Sequence, residues 1–167
     1  MGAAARFRSI CQYPKFCSRS AGVDDLNQFL TTMAGYSGTP LWKKLGYRPG
    51  LVACVESAPP GYVQMLDLPA DAAPAWSPSI TGDTKLVHVF VVRRSVLATR
   101  LKSLRKAIPS ECAVWVSWPK KASGVATDVT EDTIREVALP LGFVDIKVCA
   151  VDATWSGLKL VIRSELR

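Results

Sequence analysis

The feature that most constrains this chain is a series of nearly continuous apolar runs separated by helix and turn signals. LVACVES, KLVHVFVV and CAVWVSW begin at residues 51, 85 and 112. Runs that are apolar at successive positions are typical of strands buried on both faces of a parallel sheet, whereas half-exposed strands alternate. The sequence therefore predicts several buried parallel strands.

Helix signals lie between these runs. RRSVLATRLKSLRKAI (93–108) is predicted to form a basic amphipathic helix, whose buried stripe comprises Val96, Leu97, Leu101, Leu104 and Ile108. EDTIREVALPLGF (131–143) is predicted to form a helix with Gly142 as its C-terminal glycine. Shorter helices are predicted for PLWKKLG, with Thr39 as N-cap, and for GYVQMLDL, while residues 75–80 are predicted to hold a short edge strand.

Two further strands close the chain, VDIKVCAVD (144–152) and LKLVIRS (158–164). The short SG link between them indicates that this last pair is antiparallel. Right-handed crossovers place the helices on both faces of the sheet. The prediction is an α/β three-layer sandwich, with a mostly parallel sheet and an antiparallel C-terminal strand. It resembles a truncated class I methyltransferase (Rossmann-like) fold, and that likeness concerns fold and not function.

Residues 1–32 read differently from the rest of the chain. They show no sustained hydrophobic period, and Pro14 would interrupt a helix there. Met33 opens a segment with clear turn and helix signals. We therefore predict that 1–32 is a poorly ordered extension or a mis-assigned start, and that 33–167 is a single α/β domain.

Composition limits the classes of partner and cofactor. The formal net charge of +7 is compatible with an anionic ligand or a nucleic acid, and also with neither. The chain lacks an apolar run of the roughly 18 residues that span a bilayer, so no membrane partner is predicted. Five cysteines, no CxxC pair and a single histidine predict no metal site and a reducing, cytoplasmic location. His88 lies in mid-strand, which favours a core histidine over a catalytic one.

The segment after the first predicted strand, Glu56 to Gly61, stands where a class I methyltransferase would hold S-adenosylmethionine. Pro59 and Pro60 remove two backbone donors, and the span to Lys85 is too short for a full cofactor-binding half. S-adenosylmethionine is therefore disfavoured and no cofactor is predicted. No GxSxG, Walker or GxGxxG motif occurs, so no catalytic residue is predicted and the balance leans away from an enzyme.

The loop WPKKASGVATD (118–128) follows a predicted parallel strand, at the sheet edge where α/β proteins bind ligands. Its charges and hydroxyls, with the start of the next helix, predict an anion cradle. An alternative stays open, in which Asp128 or Thr130 caps that helix and Glu131 completes a capping box. Loops after neighbouring strands, and the predicted turn at 152–157, are expected on the same side. The candidate ligand-binding residues are Lys120, Lys121, Ser123, Gly124, Thr127, Arg93 and Trp155.

Three stretches carry a resemblance to a known family: YSGTPLWKKLGYRPG (36–50), WPKKASGVATDVTEDTIRE (118–136) and VDIKVCAVDATWSGLKLV (144–161). Over 33–164 the chain resembles the bacterial domain of unknown function 3052. That resemblance supports a start at Met33 and implies no catalytic residues. The sequence analysis therefore favours a non-catalytic binding module for an anionic ligand or a protein partner. The alternatives are a divergent methyltransferase-like enzyme and, from the basic helix at 93–108, a nucleic-acid-associated protein.

Overall fold

A computed structural model of the protein describes residues 38–167, so the extension predicted for 1–32 and the predicted start at Met33 lie outside the described residues. The described part is built around one six-stranded sheet with the strand order β2-β1-β3-β4-β6-β5. Its elements are α1 (Leu41–Leu45), β1 (Val52–Glu56), α2 (Tyr62–Met65), β2 (Ala75–Trp76), β3 (Leu86–Phe90), α3 (Arg94–Ala107), β4 (Ala113–Pro119), α4 (Glu131–Ala138), β5 (Phe143–Ala150) and β6 (Trp155–Ile162).

The direction of the strands confirms the predicted fold class. Strands β2, β1, β3 and β4 run parallel, whereas β6 lies between β4 and β5 and is antiparallel to both. The sheet is therefore mostly parallel, and its antiparallel C-terminal strand, β6, is inserted between β4 and β5. This is the Rossmann-like α/β arrangement of class I methyltransferases, with a short β2 as one edge strand.

Each face of the sheet buries its own apolar core. Val87, Val89 and Val116 point to the face covered by α3 and α4, where they meet buried residues such as Leu101 and Ile134. The opposite face carries a second core beneath the two short helices α1 and α2, formed in part by Leu45, Leu66, Leu86, Phe90 and Trp115. The burial of each large apolar side chain contributes about 1.5–3 kcal/mol to the stability of the fold, so the cores on both faces stabilise the sheet.

Several predicted boundaries are wrong, each for a local reason. The sequence predicts Val96 in the buried stripe of α3, but this residue is 52% exposed, because the helix turns it away from Leu97 and Leu101. Pro40 rather than Thr39 is the N-cap of α1, and no side chain caps it. Helix α4 ends at Ala138 and passes into a 3-10 turn, Leu139–Leu141, which accommodates Pro140. The predicted edge strand shrinks to the two residues of β2.

The last hairpin also turns earlier than predicted. The sequence predicts that the turn includes Trp155, Ser156 and Gly157, but these are the first residues of β6. The side chain of Asp152 accepts hydrogen bonds from the backbone N–H groups of Thr154 (2.7 Å) and Trp155 (2.6 Å). That aspartate closes the turn within residues 151–154, and the chain after it is free to pair with β4.

None of the helices described for residues 38–167 has the length and apolar character needed to cross a bilayer.

Candidate functional site

Between β1 and β3 the sheet reverses the direction in which successive parallel strands are added. The connection after β1 leads outward to β2 on one side, whereas the connection after β3 leads to β4 on the other. The loops at the carboxyl ends of β1 and β3 therefore diverge and leave a crevice between them. In open α/β sheets such a crevice is where ligands bind.

The loop that follows β1 enters this crevice with an unusual backbone. Ser57 adopts a left-handed conformation (φ 54°), and Gly61 does so as well (φ 78°). Serine pays a steric penalty there that glycine does not, and such residues concentrate at functional sites. Pro59 accepts a hydrogen bond from the Tyr62 N–H (3.2 Å), so the two prolines belong to the turn that starts α2. The other residues of this loop are not prolines, so each of them has a backbone N–H donor.

Glu56, the last residue of β1, is bound by a residue of α3. The Nε of Arg100 donates to one carboxylate oxygen of Glu56 (2.6 Å), and a terminal guanidinium nitrogen donates to the other. This bond to Glu56 raises the pKa of the guanidinium. Burial, followed by the charge of Glu56, raises the pKa of the neighbouring Cys54 thiol, so that cysteine is held protonated beneath the crevice.

The loop after β4 is tied to the last hairpin. The Lys120 N–H donates to the carbonyl of Thr154 (2.7 Å), and the Lys120 ammonium donates to the carbonyl of Asp152 (2.5 Å). The Ser123 hydroxyl donates back to the carbonyl of Lys120 (2.7 Å) and closes a 3-10 turn. Gly124 ends that turn in the left-handed region (φ 72°), a conformation that suits glycine. Lys121 is exposed on the same turn.

The second half of this loop is tied to the start of α3. The Thr127 hydroxyl donates to the carbonyl of Val92 (2.9 Å), and the Asp128 carboxylate accepts the backbone N–H of Arg94 (2.6 Å). Asp128 therefore caps α3 and not α4. Thr130 caps α4 by accepting the N–H of Thr133 (3.1 Å), which is the second of the two caps proposed from the sequence.

These contacts leave little of the anion cradle expected at the start of α4. Glu131 and Asp132 both pair with Arg135 on the first turns of that helix. Arg135 is also bound by Asp145 of β5, and the pKa of its guanidinium is raised by its bonds to Asp145 and Glu131. The carboxylates at this helix start are thus engaged within the chain.

Arg93 and Trp155 lie on the same edge of the sheet as Lys120. Arg93 is an exposed residue directly before α3, and β3 and β4 are adjacent parallel strands, so Arg93 and Lys120 follow neighbouring carboxyl ends. Trp155 pairs with Pro119 in the β4–β6 register and packs edge-on against Phe90, with ring centroids 5.1 Å apart. That these residues contact a ligand stays a prediction. Among residues 38–167, no group of three His, Cys, Asp or Glu side chains is placed to hold a metal ion.

The sequence analysis missed two residues of the crevice. The partner of Glu56 is Arg100, which lies 44 residues later, and no local spacing connects them. The left-handed Ser57 was missed because a serine in a loop carries no signal of its backbone angles.

No family model matches the chain, and no curated protein matches it, so the resemblance to the domain of unknown function 3052 stays a prediction. Solved structures do match. A SAM dependent methyltransferase from Aquifex aeolicus has a TM-score of 0.56 at 10% identity, over 74% of this chain and 88% of that one. A Sulfolobus solfataricus protein described as a type 11 methyltransferase has a TM-score of 0.53 at 10% identity, over 74% and 90%.

LepI in complex with SAM is similar with a TM-score of 0.45 at 12% identity, over 85% of this chain and 53% of LepI. The chain therefore spans about half the length of that protein. The Aquifex aeolicus and Sulfolobus solfataricus structures, each 10% identical to this chain, establish the fold, which is that of the class I methyltransferases.

Two predictions are corrected by these similarities. The sequence analysis preferred a non-catalytic binding module to a methyltransferase-like enzyme, and it disfavoured S-adenosylmethionine. Both preferences were wrong, because the two solved structures reported above with TM-scores above 0.5 are named as methyltransferases, one of them as SAM dependent, which favours the alternative. The incorrect prediction about S-adenosylmethionine rested on Pro59 and Pro60 in the loop after β1. Pro59 and Pro60 follow the left-handed Ser57 and lead into α2, so they do not replace the turn that the loop needs.

Proposed function

We propose that this protein is a class I methyltransferase that binds S-adenosylmethionine in the crevice between β1 and β3. The observation that carries the proposal is the strand order, in which a switch point between β1 and β3 is combined with the inserted antiparallel β6. The similarity of fold to methyltransferases of Aquifex aeolicus and Sulfolobus solfataricus supports it.

The residues around the crevice fit the cofactor. Glu56 offers carboxylate oxygens, which suit hydroxyl or ammonium donors. The loop after it keeps the N–H groups of Ser57, Ala58 and Gly61, which suit a carboxylate. A Cβ built on Gly61 meets nothing within 4 Å, so the end of this loop faces open space. When bound, S-adenosylmethionine supplies an electrophilic methyl group on a sulfonium centre.

The roles of the chain follow from this placement. Glu56 would orient the cofactor, and Arg100, which donates to both of its oxygens, would fix the direction of that carboxylate. The loop held by Lys120 and Asp128 forms the neighbouring part of the same edge, beside Trp155. Arg93 and Lys121 are exposed at this edge, which suits an acceptor molecule that carries an anionic group. The side chains of Lys120, Ser123 and Thr127 bond to backbone carbonyls and shape the loop in which Gly124 ends the turn. A cytoplasmic location remains part of the proposal.

Calorimetric titration of the full chain with S-adenosylmethionine and with S-adenosylhomocysteine tests the cofactor site. We expect saturable binding in the micromolar range, and a stabilisation of about 2.7 kcal/mol at a ligand concentration of one hundred times Kd. Ala58→Trp should abolish binding, because Ala58 is exposed in the loop and a large ring would fill the crevice. Ala107→Trp is the matched control, since Ala107 is exposed at the far end of α3. The proposal fails if neither ligand binds, or if both variants bind as wild type does.

A further inference from the structure

Four buried polar side chains form an unbroken hydrogen-bonded chain through the core beneath α1 and α2. The hydroxyl of Tyr47 lies 3.0 Å from that of Tyr62, which lies 2.6 Å from Nδ1 of His88, and Nε2 of His88 lies 2.7 Å from the hydroxyl of Ser117. None of the four is more than 2% exposed. This hydrogen-bonded chain of side chains links the segment before β1 to α2, β3 and β4.

The chemistry of the four groups sets the order of the donors. Burial lowers the pKa of His88 to about 3, so its ring is neutral and has one donor and one acceptor nitrogen. A phenol is a stronger acid than an aliphatic hydroxyl. Tyr62 is therefore expected to donate to Nδ1, and Nε2–H is expected to donate to Ser117. This order selects one tautomer of His88, and Tyr62 in turn accepts from Tyr47.

Tyr62 is also the residue that directly follows the crevice loop. It is the first residue of α2, and the left-handed Gly61 precedes it. Helix α2 has four residues, which is too short to be stable without packing. The Tyr62 side chain, anchored to β3 through His88, therefore fixes where the loop from Ser57 to Gly61 ends.

A polar chain in this position is costly compared with an apolar one. Each buried hydroxyl or imidazole loses its hydration, and the hydrogen bonds that replace the lost water offset only part of that loss. Phenylalanine in place of either tyrosine would fill the same space. What the hydrogen bonds add is direction, because each requires its partner at a defined distance and angle.

We propose that Tyr62 and His88 are positioning residues, which hold the loop after β1 in its ligand-binding shape through the buried chain ending at Ser117. The proposal rests on the proposed function for the role of that loop. The placement of the loop by Tyr62 is a separate statement, which can be tested without any ligand.

The test compares two isosteric substitutions in the full chain. Tyr62→Phe removes the hydroxyl that joins the loop to His88, whereas Tyr47→Phe removes the next hydroxyl and leaves the bond between Tyr62 and His88 in place. For Tyr62→Phe we expect amide hydrogen exchange of residues 57–66 to accelerate about fivefold relative to the rest of the sheet, and S-adenosylmethionine affinity to fall about fivefold. For Tyr47→Phe we expect both values within twofold of wild type.

The single histidine of the chain supplies an independent readout, since the two neutral tautomers of its ring give different NMR signals for the imidazole nitrogens. Wild type should show the Nε2–H form, and Tyr62→Phe should mix the two forms. Ser117→Ala, which removes the other partner of the ring, should also mix them and accelerate exchange in the loop. Equal exchange of residues 57–66 in wild type and Tyr62→Phe overturns the positioning role. If wild type binds no S-adenosylmethionine while exchange responds as expected, the proposed function fails and the positioning of the loop stands.

Discussion

Arg100 of α3 donates to both carboxylate oxygens of Glu56, and this pair joins the end of β1 to a helix on one face of the sheet. The side chains are 34% and 24% exposed, so solvent screens the attraction and limits its contribution to stability. Because the pair is bidentate, it fixes the direction of the carboxylate more than it strengthens the fold.

Breaking this pair should therefore cost little stability. Glu56→Gln and Arg100→Met are each expected to lower the free energy of unfolding by about 1 kcal/mol, with a coupling energy of about 0.5–1 kcal/mol in a double-mutant cycle. Urea denaturation of wild type, the two single variants and the double variant measures this coupling energy. A coupling energy of zero would mean that the two side chains do not interact in solution.

Acid should destabilise the protein through His88. The pKa of about 3 in the folded state lies below the value of about 6.5 in an unfolded chain, so the unfolded state binds the proton first. The stability contributed by the neutral ring is complete above pH 6.5 and is lost as the pH falls towards 3. The slope attributable to this residue approaches about 1.4 kcal/mol per pH unit in that window.

His88→Gln removes this titration while keeping polar atoms near Tyr62 and Ser117. Its free energy of unfolding should therefore depend less on pH between 6.5 and 4 than that of wild type. Because the chain has one histidine, the difference between the two curves belongs to that residue alone. Parallel curves would show that His88 keeps an ordinary pKa in the folded protein.

Gly157 should not tolerate a methyl group. A Cβ at this position would lie 3.2 Å from the Ser117 hydroxyl, 3.2 Å from the Trp115 ring and 3.3 Å from Val151. Gly157→Ala is expected to lower the free energy of unfolding by about 1–3 kcal/mol, since the buried neighbours must shift. Gly82→Ala is the matched control, because a Cβ there meets nothing within 4 Å. Equal denaturation midpoints for the two variants would contradict the close approach of β4 and β6.

Asp128 should stabilise α3 although it lies outside that helix. Asp128→Ala removes the acceptor of the Arg94 N–H and is expected to cost about 1 kcal/mol, whereas Asp128→Asn retains an acceptor oxygen and should cost less. Asp132→Ala is the comparison, because the Asp132 side chain is 87% exposed and its loss should change stability by less than about 0.5 kcal/mol. Thermal denaturation of the three variants measures which of them loses most stability.

Most of the fold could be predicted from the sequence, because apolar runs and helix stripes report burial directly. The direction of the last strand followed from a short link, although the turn itself was misplaced: the Asp152 side chain closes it before Trp155. The candidate site was less accessible. Glu56 could be recognised as a strand end, but its pairing with Arg100 and the left-handed backbone of Ser57 depend on tertiary contacts and torsion angles.

The hydrogen bond from Arg94 to Asp128 also has a consequence for the order in which the chain is synthesised. The carboxylate that completes the first turn of α3 belongs to a residue added 34 positions later, after the whole of β4. A nascent chain that ends at α3 therefore has this helix without its cap. The start of α3 reaches its full stability only when β4 has joined the sheet and the loop behind it has folded back. Completion of the first turn of the helix therefore depends on the arrival of the fourth strand.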